Sequence, residues 1–342
     1  MRNKKFVFVT LLAVLSLVVV ACGDDEGGGG CDLTIGLVYD LGGRGDQSFN
    51  DSAAVGLDRA KQEFDIADEC VTELEPSAGG ENREELLNLV SDQGADLVLA
   101  IGFLFAESVQ ASAVAHPDTS YGVVDTVVEA TNVRGMLFAE HEGSFLVGAA
   151  AALKSGTGHI GFIGGVEIEL IQKFQAGYQA GARAVNPDIV IDVAYISQPP
   201  DFSGFNDPAK GQEIATGMFD AGADVVYAAA GGSGGGLFQA ATEAGTWAIG
   251  VDSDQALTAP EFGPDGSDVI LTSMVKRVDT AVYSTIQDFI NDEFSTGVVE
   301  YGLADGGITY ATTGGHVDDI KDQLDAFAQQ IIDGTIVVPT TP

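Results

Sequence analysis

Short runs of β-branched and aliphatic residues alternate along this chain with stretches whose apolar positions recur every three or four residues. The runs predict strands at Thr34–Tyr39, Val71–Leu74, Leu97–Ile101, Ser120–Asp125, Val133–Phe138, His159–Ile163, Ile189–Ile196, Val225–Ala229, Trp247–Val251 and Val269–Met274. The periodic stretches predict helices at Asp51–Glu63, Arg83–Gln93, Ser144–Leu153, Pro208–Asp220 and Gly235–Ala244, with another inside Ile168–Val185. Such alternation marks an α/β protein with largely parallel sheets. A weak internal echo suggests two similar halves. Gln93-Gly-Ala-Asp-Leu-Val98 resembles Ala221-Gly-Ala-Asp-Val-Val226, and a glycine follows each strand, Gly102 and Gly231. Two lobes facing each other at their strand carboxyl ends would form a ligand cleft. A two-domain enzyme fits the same pattern.

The first residues read differently. Arg2, Lys4 and Lys5 precede an apolar core from Phe6 to Val20, which ends in Val19-Val-Ala-Cys22. That is the order of a bacterial lipoprotein signal, and the core is short of the roughly 20 apolar residues a membrane span needs. Cleavage of 1–21, acylation of Cys22 and a flexible tether over 22–32 are the expectation. The mature protein would then be extracytoplasmic and lipid-anchored to the cell membrane; an uncleaved anchor is the alternative.

Composition narrows the partners. The formal net charge is −36, with 51 acidic and 15 basic residues. A surface this acidic repels nucleic acid and anionic lipid. A saline habitat would relieve its self-repulsion. The hydrophobic fraction of 45% supplies a core. With Cys22 acylated, Cys31 and Cys70 remain. Each precedes a strand pattern, so a bridge forms if those strands are parallel neighbours in an oxidising compartment; two free thiols are the alternative. No His/Cys spacing suits zinc, and no metal or cofactor is expected.

Two motifs are decoys. Gly156-Thr-Gly-His-Ile-Gly161 matches G-x-G-x-x-G but leads from a helix into a strand, the reverse of a dinucleotide fingerprint. Arg44-Gly-Asp46 reads as loop rather than as an adhesion tripeptide. Polar and aromatic residues instead gather at predicted strand ends: Asp46, Ser48, Phe49 and Asn50 after the first strand, Asp125, Phe174 beyond Gly164-Gly165, Asp252, and Lys276. Aromatics stack on flat rings and carboxylates accept bonds from hydroxyls or ring N–H groups, which suits a ligand with a flat ring and a hydroxylated sugar. By spacing alone the stronger reading is that the phenylalanines are core and the aspartates caps.

Longer segments carry a family resemblance. They are Gly45-Asp-Gln-Ser-Phe-Asn-Asp51, Glu140-His-Glu-Gly-Ser-Phe-Leu-Val-Gly148, Ile160-Gly-Phe-Ile-Gly-Gly165, Phe174-Gln-Ala-Gly-Tyr-Gln-Ala-Gly181, Ile249-Gly-Val-Asp-Ser-Asp-Gln255, Thr272-Ser-Met-Val-Lys276 and Ile332-Asp-Gly-Thr-Ile-Val-Val-Pro339. In this order they resemble the basic membrane protein (BMP) family of bacterial lipoproteins, which includes purine nucleoside receptors. The resemblance implies a two-lobed periplasmic-binding-protein fold of type I, joined by three crossovers and closing on its ligand about a hinge. It implies a monomeric, non-enzymatic binding protein that delivers a purine nucleoside to an ABC permease. By motif, Phe49 and Phe174 would sandwich the base, Asn50 and Asp125 would contact its edge, and Gly232, Asp252 and Lys276 would hold the ribose, with Asp46 a further candidate. Residues 33–138 plus 252–290 would form the first lobe and 139–251 plus 291–342 the second. Trp247 begins the strand that ends at Asp252, so its emission is expected to report closure. Rival readings are riboflavin or a sugar-like signal as ligand, an extracytoplasmic nucleoside hydrolase, and a surface adhesin.

Overall fold

The computed structural model describes residues 31–342. The expected signal at 1–21, the lipidated Cys22 and the tether as far as residue 30 lie outside the described residues.

Two six-stranded sheets are wound in the same order. In the first lobe β1 (Ile35–Val38), α1 (Phe49–Glu63), β2 (Val71–Leu74), α2 (Arg83–Asp92), β3 (Leu97–Ala100), α3 (Ala106–Ala115), β4 (Ser120–Val124) and β5 (Val133–Phe138) follow one another. Their strands lie β2-β1-β3-β4-β5, all parallel. The second lobe runs α4 (Glu140–Lys154), β6 (His159–Val166), α5 (Glu169–Val185), β7 (Val190–Ser197), α6 (Pro208–Asp220), β8 (Val225–Ala229), α7 (Gly234–Ala244), β9 (Trp247–Asp252), α8 (Gln255–Thr258) and β10 (Ile270–Lys276). Its strands lie β7-β6-β8-β9-β10, again parallel. Helices cover both faces, so central strands such as Leu97-Val-Leu-Ala100 are buried throughout and read as unbroken apolar runs.

The echoed segments occupy equivalent places, one entering β3 and the other β8. Their aspartates explain the repetition. Asp96 accepts from Thr34 N (2.8 Å) at the start of β1, and Asp224 accepts from Gly156 N (2.7 Å) and Thr157 N (2.9 Å) before β6. Each thus ties a strand to its neighbour at the end remote from the cleft. The glycine-rich 156–161 segment is therefore the turn it was read as, held by Asp224.

The chain then recrosses. After β10, α9 (Val278–Ile290) packs on α1 of the first lobe, and β11 (Gly297–Tyr301) adds to β5 in parallel. β12 (Ile308–Tyr310) adds antiparallel to β10, and α10 (Lys321–Ile332) packs on α4. The crossings fall at 138–140, 276–278 and 301–308. They are bonded together by Ala139 N to Tyr301 O (2.8 Å), Arg277 N to Gly307 O (2.9 Å) and Ile308 N to Gly302 O (3.0 Å). This corrects the late lobe boundaries read from sequence. Residues 252–276 stay in the second lobe because β10 pairs with β9, and β11 returns to the first because it pairs with β5. The turn at Asp252-Ser-Asp254 ends a strand without leaving its lobe.

Each lobe has its own fastening. In the first, Cys31 and Cys70 are disulfide-bonded, with Cα atoms 5.5 Å apart. In the second, α4 and α5 approach backbone to backbone: a Cβ on Gly177 would lie 2.1 Å from His141 O, and one on Gly181 1.9 Å from Phe145 O. That contact explains the spacing in Phe174-Gln-Ala-Gly-Tyr-Gln-Ala-Gly181.

Candidate functional site

A cavity of about 630 Å³, continuous with solvent, lies between the carboxyl ends of the two sheets. Apolar surface comes from both lobes: Phe49 and Phe103 from the first, Leu170, Ile171, Phe174 and Phe205 from the second. Phe49 opens α1 and Phe174 sits on α5, the equivalent helix of the other lobe. Phe103 meets Phe205 (6.3 Å) and Phe202 (6.0 Å) edge-on across the cleft.

The polar lining is dominated by carboxylates. Asp125 follows β4 and Asp252 ends β9, the fourth strand of each lobe. Both have left-handed backbone, φ 66° and 65°, a conformation uncommon outside glycine that turns these side chains off their strands. Between them lies Lys276, only 2% exposed, at the end of β10. Its Nζ is 2.6 Å from Asp125 Oδ1 and 3.4 Å from Glu140 Oε1. It also stands 5.2 Å from the Phe49 ring centroid and 5.8 Å from that of Phe174. Burial by itself would lower the lysine pKa, but Asp125, Glu140 and Asp252 together raise it above its ordinary value. Asp252 is pushed up to about 7 by burial, against the pull of Lys276 and of the Ser48 hydroxyl, which donates to it at 2.8 Å. Three acids surround one ammonium, so the cleft favours hydrogen-bond donors over anions.

The loop between β1 and α1 is held largely by Asp46. Asp46 accepts from Ser48 N (2.9 Å), Asn50 N (2.9 Å), Asp51 N (3.1 Å) and Asn50 Nδ2 (3.0 Å). It therefore satisfies the orphan donors at the start of α1. Asn50 also donates to Leu41 O (3.3 Å) and accepts from Asp40 N (3.0 Å), which leaves one carbonyl lone pair. Arg44 is held by Asp58 (3.0 Å) and Glu73 (2.6 Å), so the Arg-Gly-Asp tripeptide is bound into the first lobe.

Sequence reasoning missed Asp40 as a ligand candidate. It lines the cavity, and its Oδ1 accepts from Leu41 N (2.8 Å) and Arg83 Nη2 (2.7 Å). A Cβ at left-handed Gly102 would lie 2.5 Å from its Oδ2, so glycine there leaves that oxygen room. Burial raises the Asp40 pKa, and Arg83 opposes the rise. The signal was a carboxylate directly at a strand end; nothing in the spacing set it apart from a cap. Glu140, Phe103 and Phe205 were missed as well. Left-handed Gly231 lines the cavity, and a Cβ on the adjacent Gly232 would meet Asn206 Oδ1 at 3.2 Å and Asp46 Cβ at 3.6 Å. Trp247 begins β9, as the strand pattern predicts. It lies at the end of β9 remote from Asp252, with its ring 4.7 Å from His316 of the same lobe. Among the described residues no group of three or more His, Cys, Asp or Glu side chains could hold a metal ion, and no helix is long and apolar enough to cross a membrane.

The lobes also touch directly. Gln255 Nε2 (3.0 Å) and Thr258 Oγ1 (2.8 Å) donate to Gln47 O, and Ser253 Oγ donates to Ser48 O (2.9 Å). A two-lobed α/β protein with its cleft at the strand carboxyl ends is a solute-binding architecture, and comparison with known proteins agrees. Residues 33–342 match the family described as "ABC transporter substrate-binding protein PnrA-like". The chain belongs to that family. It is 33% identical to the "ABC transporter nucleoside-binding protein BmpA" of Lactococcus lactis subsp. cremoris, over 99% of each chain. It is 33% identical to "Basic membrane protein A" of Borreliella burgdorferi, over 97% of this chain and 95% of that one. Among solved structures, an ABC transporter solute-binding protein from Aeropyrum pernix K1 superposes with a TM-score of 0.77 at 29% identity, covering 90% of this chain and 94% of the other. As a PnrA-like protein, the chain is a substrate-binding component of an ABC transporter.

Proposed function

We propose that this protein captures purine nucleosides outside the cytoplasm, tethered by lipid on Cys22, and delivers them to an ABC permease without chemical change. The observation that carries the reading is a cleft with phenylalanines from both lobes and carboxylates in excess over one buried lysine. A purine offers a flat ring for Phe49 and Phe174, and its sugar offers hydroxyl donors. Asp252, with Lys276 beside it, takes the ribose hydroxyls. The Asp40 Oδ2 and the remaining lone pair of Asn50 meet the base edge. Asp125 holds the Lys276 ammonium, and Gly231 gives the ligand close access to backbone. The nucleoside-binding relative from Lactococcus lactis supports the ligand class.

The test is a thermal-shift series on chain purified without residues 1–22 and refolded free of small molecules. Adenosine, inosine and guanosine should raise the melting temperature, because a ligand that binds only the folded state stabilises it. Ribose alone should not. A shift with riboflavin and none with nucleosides would change the cargo, and no shift with any of them would remove the proposal.

A further inference from the structure

We propose that Glu140, which does not line the cavity, is a positioning residue for Lys276: from within the second lobe it keeps the ammonium aimed into the cleft whatever the spacing of the lobes. This rests on the reading of Lys276 as a ligand contact. The two carboxylates beside the lysine belong to different lobes. Asp125, 2.6 Å from Lys276 Nζ, is on the first lobe, so that pair spans the cleft. Glu140, 3.4 Å from the same nitrogen, begins α4 on the second lobe, as Lys276 ends β10 there. Separating the lobes lengthens the first contact and leaves the second. Both residues also stand beside crossings, at 138–140 and 276–278, where a hinge motion displaces atoms least.

Glu140 has no other evident task. It is 1% exposed, and its Oε2 has no hydrogen-bond partner, the nearest cation being Lys173 Nζ at 3.7 Å. A buried carboxylate with an oxygen unpaired is costly, so its presence calls for a charge to serve. The helix needs no acid at this position, because Glu142 already places one in the first turn of α4. The groups facing Lys276 are Asp125 from the end of β4, Glu140 from α4 and Asp252 from β9, with the rings of Phe49, Phe138 and Phe174. Those facing Glu140 are Lys276, Lys173 from α5, Asp125 and Tyr227 on β8. Burial works against both charges, lowering the lysine and raising the acid, and their attraction offsets it.

The experiment compares wild type, Glu140→Gln and Glu140→Asp in the refolded chain. Two readouts are taken: the titration of the Lys276 ammonium by NMR, assigned with Lys276→Arg, and adenosine affinity between pH 7 and 10. The adenine ring does not ionise in that range. In Glu140→Gln the lysine should titrate about one to three pH units lower than in wild type, as for loss of a nearby opposite charge. Affinity should then begin to fall as pH approaches 10, by up to about twofold where half of the ammonium is lost, while wild type stays level. Glu140→Asp should return most of both. A Glu140→Gln protein with a lower melting temperature but wild-type lysine titration would overturn the inference and leave Glu140 a packing residue. If wild type binds no nucleoside, the proposed function fails by itself, while the lysine titration, which needs no ligand, still decides the role of Glu140.

Discussion

The two lobes share one winding but build their halves of the cleft differently. At equivalent places they match: Asp125 and Asp252 after the fourth strands, and left-handed Gly102 and Gly231 after β3 and β8. After the first strands they diverge. The first lobe inserts the bonded loop 39–48, with Asp40 and Asp46, while in the second β6 runs almost directly into α5 and Phe174. After the fifth strands the chain crosses between lobes, with Glu140 entering the second lobe after β5 and Lys276 ending β10 before the return to the first. A repeated fold thus becomes a selective site through differences at a few strand ends, while the sheets beneath stay alike. The acids come from both lobes, but the one buried ammonium among them comes from the second.

The comparison breaks most severely if that shared charge is removed. Lys276→Met leaves Asp125, Glu140 and Asp252 buried without their cation, and removing one partner of a buried pair typically costs about 3–5 kcal/mol. Chemical denaturation should show a loss of that order, along with loss of nucleoside binding. The fastening of the first lobe comes next. The Cys31–Cys70 bridge closes a separation of 39 residues, worth about 4 kcal/mol by chain entropy. Cys31→Ser with Cys70→Ser should lower stability by up to that amount while the affinity of the folded protein stays close to wild type. If Phe49 and Phe174 are true counterparts, truncating either to Ala should weaken nucleoside binding by about 1–3 kcal/mol, the value of stacking one base; an effect confined to one would make the cleft one-sided.

The smallest expected effect sharpens the aspartate pair. Asp252 holds its proton up to about pH 7 in the folded protein, whereas an unfolded aspartate releases it near pH 3.9. Between those values the folded chain binds the extra proton, so the Asp252 contribution to stability falls as pH rises from about 4 to about 7 and is level above. Comparing wild type with Asp252→Asn across that window isolates it. A difference between them that does not change with pH would show that Asp252 is ionised throughout.

Much of the fold was legible because buried parallel strands leave unbroken apolar runs, and each strand placed from sequence is present within a few residues. α3 was missed because Ala106-Glu-Ser-Val-Gln-Ala-Ser-Ala-Val-Ala115 has little contrast between its faces. β11 was missed because it is a largely exposed edge strand. The lobe boundaries failed for a related reason: which sheet a strand joins is decided by long-range pairing, and β10 and β11 carry no local mark of their destination. Strand ends drew attention to Phe49, Asp125, Phe174, Asp252 and Lys276, all of which line the cavity. Sequence could not show that Asp46 spends its carboxylate on the start of α1, or that Asp40 and Glu140 face the site or its lysine. Those are matters of side-chain direction and of burial, which spacing does not encode.

The most direct measurement is calorimetric titration of adenosine, inosine and guanosine into the refolded wild type and Asp252→Ala at neutral pH. The account predicts one-site binding of at least one of these nucleosides to wild type and a loss of about 2–4 kcal/mol in the variant, a buried charged hydrogen bond removed. Equal affinity in the two proteins would take Asp252 out of the site, and no heat from any nucleoside would contradict the account at its centre.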